Sequence, residues 1–222
     1  NSTLAGDITN SGASGTTGGA SGAMTFTGAV TLGADVVLTS LRGTGGAPTS
    51  GTINFNGTSS TIDSDAIGTP RSLTINAGTG AAAVTFGAGI GQGASDGLKS
   101  LSVTTAGTTT LNGSIRTADV AGNNVSLLGS GAVTMNTDVT INTDRTSNDG
   151  NISLTGAINA NAAANRRVLT LSAGGGTIDN GSGAAMGAVG GTQALGGFTA
   201  TGETVRTGAI ATTGGAGQAG GN

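Results

Sequence analysis

Carboxylates are nearly the only reactive groups in this chain, so any chemistry has to be looked for among them. Asp63-Ser64-Asp65 sets two at i and i+2, the spacing that puts both on one side of a strand. Asp144-Arg145 with Asp149 forms a second local group, with Asn148 and Asn151 nearby. Paired carboxylates do acid–base work when burial or a like charge raises one pKa, and acidic polysaccharides are the substrates such pairs would suit on a β-helix. Both groups also lie among turn formers, where an Asp side chain caps backbone amides, and that structural role is the expected one. A calcium repeat of the Gly-Gly-x-Gly-x-Asp kind needs Asp at a fixed register, and none recurs. No catalytic, cofactor-binding or metal-binding residue is therefore assigned.

The remaining residue types exclude more. The 222 residues contain no Cys, His, Trp or Tyr. Zinc and iron–sulfur sites, disulfides, thiol catalysis and Ser-His-Asp systems all need what is missing. Nucleic acid calls for a basic stripe and stacking aromatics, against eight Lys and Arg in total and four Phe here. Arg166-Arg167 is the one adjacent basic pair, and it is expected in a solvated loop, with lipopolysaccharide or an acidic glycan as the alternative partner. Gly87-Ala-Gly-Ile-Gly-Gln-Gly93 has the glycine spacing of a dinucleotide loop but no helix pattern after it, which leaves a turn. Thr108-Thr109-Thr110, Thr25-x-Thr27 and Thr137-x-x-Thr140 could stack into the flat hydroxyl ladders of ice-binding solenoids, if they recurred at a constant register.

The elements that would position these groups are short strands. Met24-Thr-Phe26, Ile53-Asn-Phe55, Leu73-Thr-Ile75, Leu101-Ser-Val103, Val125-Ser-Leu127, Ile152-Ser-Leu154 and Leu169-Thr-Leu171 each alternate apolar and polar residues, the mark of a strand with one buried face. A degenerate eighth lies near Phe198. Gly (45) and Thr (38) are weak helix formers, and the best helical stretch, Ala157 to Arg167, is broken by three Asn and is expected to be a loop. No run approaches the ~18 apolar residues of a membrane span.

The alternating pairs recur at intervals of 17 to 29 residues, averaging about 25, often with a second strand such as Val30-Leu32, Val84-Phe86 or Val133-Met135 and sometimes a third, Val36-Leu38 or Val139-Ile141. Gly28 to Ser40 matches Gly131 to Thr143 at six of thirteen positions, and Leu98 to Thr104 weakly matches Leu195 to Thr201. Such repeats predict an all-β parallel β-helix of about eight irregular coils, a single solenoid running from 1 to 222 as part of a longer repetitive chain. The interval scatter counts against a hydroxyl ladder in register. Gly-rich stretches at 1–22 and 214–222 are expected to cap the ends poorly, so that end-to-end association follows. Val30, Val84, Val103, Val133, Ile152 and Leu171 are expected to point inward. Among Asn54, Asn56, Asn123 and Asn124, some are expected to bond between coils.

Leu73-Thr-Ile-Asn-Ala-Gly-Thr-Gly80, Val84-Thr-Phe-Gly87, Gly28-Ala-Val-Thr-Leu-Gly-Ala-Asp35 and Thr108-Thr-Thr-Leu-Asn-Gly113 resemble the filamentous-haemagglutinin-like exoproteins and autotransporter adhesins of Gram-negative bacteria. The resemblance spans roughly residues 20 to 215. It implies a right-handed β-helical passenger, secreted or displayed on the cell surface, working as a non-catalytic stalk or fibre with host or matrix glycans as partners. A polysaccharide-active β-helix enzyme and a self-assembling filament subunit are the alternatives.

Overall fold

The computed structural model describes residues 1–16, 18–45, 49–78, 82–93 and 97–213. Every strand pair among them is parallel and no helix occurs, so the chain is an all-β solenoid. Each coil crosses three faces in turn. Face one carries Ser2–Leu4, Val30–Leu32, Ile62–Ser64, Ile115–Arg116, Val139–Asn142, Val168–Ser172 and Gly197–Thr201, with Ile90 bridging Ile62 to Ile115. Face two is an unbroken sheet of eight strands from Ile8–Ser11 to Thr204–Val205. Face three runs from Met24–Thr27 to Ile158–Ala160 and continues through single bridges at Val189 and Ile210. Eight stacked levels make about seven full turns, close to the expected eight coils, and a rod ~34 Å long at the usual strand spacing.

Alternation works as the sequence requires. Val30, Val84, Val103, Val133, Ile152 and Leu171 are all buried, and one continuous apolar core fills the interior. Burial of each such side chain contributes roughly 1.5–3 kcal/mol. Phe26, Phe55 and Phe86 stack inside face three, with ring centroids 5.0 and 5.5 Å apart. Glycine serves the corner between faces two and three. A Cβ on Gly131, Gly156 or Gly187 would collide with the carbonyl oxygen of Gly107, Gly131 or Gly156 one coil below, so only glycine lets the backbones approach there.

Three details differ from expectation. The irregular interval came from counting across faces: Met24 and Ile53 lie on face three, Leu73 to Ile152 on face two, and Leu169 and Phe198 on face one. Among the six strands of face three the true step is 24 to 31 residues, from Thr109 to Val133 and from Ile53 to Val84. The match of Gly28–Ser40 to Gly131–Thr143 also aligns different faces, since Val30 is on face one and Val133 on face three. What repeats is a strand and its corner, not a whole coil. Within the expected loop 157–167, Ile158–Ala160 is a strand of face three before the turn begins. The first coil starts at Ser2, with Ile8–Ser11 already in face two; the expectation for 214–222 falls outside the described residues.

Candidate functional site

Most charged side chains lie on face one and on the corner that leads to face two, and there the carboxylates work as struts between coils. Asp7, one residue ahead of the strand Ile8–Ser11, accepts the Val37 N–H of the next coil at 2.8 Å. Asp35, one residue ahead of Val36, accepts Ser72 N–H at 2.8 Å, and Asp138, ahead of Val139, accepts Val168 N–H at 3.0 Å. Asn124 and Asn151 continue the scheme as amides, taking the N–H of Asn151 and Thr177 at 2.8 Å each. An acceptor just before a strand faces an amide in the coil above that would otherwise lack a partner. The signal for this was legible: an Asp or Asn directly before an alternating apolar pair.

Asp63 lies in the strand Ile62–Ser64 and Asp65 just after it, and the two do not share a task. Asp63 accepts Gly93 N–H at 3.1 Å from the next coil, while Asp65 pairs with Arg71 Nε at 3.1 Å in its own loop. Burial pushes the Asp63 carboxyl up, against the opposing pull of the Gly93 amide and Arg116. Asp65 is held below its usual range by its hydrogen bond with Arg71. Opposed shifts are what an acid–base pair needs. Here the causes are unrelated, burial at Asp63 and Arg71 at Asp65, and both carboxylates already hold a partner.

The second cluster borders an open polar groove of about 520 Å³ between the corner loops of the third, fifth and sixth coils, walled by Pro70, Arg116, Asp119, Val120, Asp144 and Arg145. Asp119, which sequence reasoning passed over, accepts the N–H of Ser147 and Asn148 at 3.2 and 2.9 Å. Asp144 accepts the Ser172 hydroxyl at 3.2 Å. Arg145 donates to the carbonyls of Thr117 and Asn142 at 2.5 and 3.3 Å. Asp149 accepts Arg145 N–H at 2.8 Å and Gly175 N–H at 2.7 Å, and these two amides hold its carboxyl below the usual range. Asn123 is fully buried and donates to the carbonyls of Thr143 and Asn148 in the next coil at 3.2 and 2.8 Å. The groove's charges thus tie three coils together.

The other candidates disperse. Arg166 donates to the Thr213 carbonyl at 2.9 Å, and Arg167 to Asn161 Oδ1 at 3.3 Å. Gly87 to Gly93 crosses the corner from face three to face one, and its Ile90 is a buried rung of face one. Asn54 bonds to Thr52 of its own coil at 3.0 Å and the Asn56 side chain is exposed, so Asn123 and Asn124 alone of the four expected amides bridge coils. Among the described residues, no group of three carboxylates could hold a metal ion, and no helix is long and apolar enough to cross a membrane. No family model, no curated protein and no solved structure matches this chain.

Proposed function

We propose that this chain is a non-catalytic stalk or fibre segment of a secreted or cell-surface bacterial adhesin. One observation carries the reading: Asp7, Asp35, Asp63, Asp119, Asp138 and Asp149 each accept a backbone N–H from the coil above. Carboxylates used this way hold a rod together and leave little for proton transfer. The resemblance of the Leu73–Gly80 and Thr108–Gly113 stretches to surface exoproteins points the same way, as does a core whose stability grows with coil number. The polar groove is where a host or matrix glycan would meet the rod.

Purified chain is expected to leave pectin, alginate and hyaluronan intact. Release of unsaturated or reducing ends that disappears in the Asp63→Asn/Asp65→Asn double variant would overturn the reading and assign a polysaccharide-active enzyme. A second reading, a self-assembling filament subunit, is favoured by the last described coil, where Val205 and Ile210 are 38% and 50% exposed.

A further inference from the structure

Face three differs from charged face one, and from face two, whose outward positions include Val37, Leu41 and Leu128. Counted by its own register, its segments read Ala-Met-Thr-Phe-Thr27, Thr-Ile-Asn-Phe-Asn56, Ala-Val-Thr-Phe-Gly87, Thr-Thr-Thr-Leu-Asn112, Ala-Val-Thr-Met-Asn136 and Ala-Ile-Asn-Ala-Asn161. The second and fourth positions point into the core. The outward positions are Ala, Thr, Asn or Gly throughout, and none of these thirty residues is charged. Charged residues crowd face one and its corner instead.

The pairing places Thr25, Asn54, Thr85, Thr110 and Thr134 in one column, residue opposite residue. A parallel column, two residues further on, carries Asn112 and Asn136, whose side chains bond to each other at 2.8 Å. Rows therefore repeat every ~4.8 Å along the rod, and columns stand ~6.7 Å apart across it. Two of the amides are fixed: Asn112 donates to the Phe86 carbonyl at 2.7 Å, and Asn54 to Thr52 at 3.0 Å. The hydroxyls of Thr25, Thr85, Thr110 and Thr134 bond to no protein atom among the described residues. At the sixth coil the array ends, where Asn159 is buried and accepts the N–H of Thr192 and Gln193.

From this two-dimensional array we infer that face three binds an ice surface. A rigid plane of regularly spaced methyl and hydroxyl groups, with immobilised amides between them, can hold a first layer of water in lattice order. A neutral plane suits a neutral lattice, since charged side chains would each demand their own disordering hydration shell. Crystalline polysaccharide is the poorer match, because sugar rings stack on aromatic platforms and Phe26, Phe55 and Phe86 all lie along the inward side. This inference goes beyond the stalk reading and stands apart from it.

The test is to freeze a solution of the 222-residue protein slowly around a cold probe and measure the fraction carried into the ice. The expected result is enrichment in ice and faceted crystals under the microscope, with at least a tenfold loss of the bound fraction in Thr85→Lys/Thr110→Lys. Thr170→Lys, on face one, should bind as the parent does. Circular dichroism and melting identify any variant that fails to fold, in which case Thr85→Ser/Thr110→Ser, which removes only methyl groups, takes its place and should weaken binding several-fold. Exclusion of the parent from ice, or undiminished binding by the folded face-three variants, overturns the inference. So does binding only to microcrystalline cellulose, or only a face-to-face dimer that the lysines dissolve.

Discussion

Asp63 and Asp149 brace the coils in the same way and carry opposite electrostatic signs. Asp149 has its carboxyl lowered by two amide donors. Its contribution is therefore present above the unfolded value near 3.8 and is lost as pH falls through the lower folded value. Asp63 is raised by burial, so its contribution is present below the unfolded value and is lost as pH rises through the folded one. At pH 7, Asp149→Asn should lower the melting temperature and Asp63→Asn should raise it by ~1 °C, a small gain because the site is half exposed to solvent. The Asp63 difference should vanish at acid pH, where its raised carboxyl is protonated, and the Asp149 difference should shrink as pH falls below 3.8. Melting curves from pH 3 to 8 on the three proteins check this; two shifts of the same sign at pH 7 would contradict the assigned causes.

Strands and corners are the scale at which sequence and structure can be compared. Alternation identified the inward residues, because side-chain direction has a period of two whatever the strand's neighbours are. It could not say which of three faces a strand belongs to. Corners vary from the two residues between Thr27 and Val30 to a dozen between Ser11 and Met24, so distance along the chain is no measure of position around the coil. That is why the hydroxyl columns were hidden: Thr25 and Thr134 share a column, while Thr140 lies on face one. The struts could have been seen at Asp7 and Asp35, but the groove at Arg116 and Asp119 needed loops of three coils, spread from Pro70 to Arg145, to come together. Two substitutions test the packing at this scale. Phe55→Ala removes the middle ring of the stack and should cost about 3–5 kcal/mol in urea unfolding. Gly156→Ala should cost about 1–3 kcal/mol, because its methyl meets the Gly131 backbone and no rotamer can move aside. An unchanged midpoint for Gly156→Ala would mean that the coils separate more readily than their hydrogen bonding suggests.

The whole molecule is a stack in which each coil is held by the coils on either side, so its ends differ from its middle. Central strands such as Ser100–Thr104 pair on both edges, with Ser72–Asn76 and Val125–Leu128. Gly197–Thr201 and Thr204–Val205 pair only toward the interior among the described residues. Beside those one-sided strands, Val205 and Ile210 are exposed. Unpaired N–H and C=O groups flanked by apolar side chains are a template for another strand, and proteins that avoid such pairing place charge there. Arg206 leans toward Asp179 at 3.9 Å and exposed Glu203 precedes the strand, so the charge on this edge flanks Val205 and Ile210 without covering them. The expected outcome is concentration-dependent end-to-end association, with sedimentation velocity resolving species longer than one ~34 Å rod. Val205→Lys/Ile210→Lys should return the sample to monomer without lowering its melting temperature by more than a few degrees, since both side chains are already exposed. A parent that stays monomeric across the whole series would mean that this end is covered, and the filament reading would fall while the stalk reading stood.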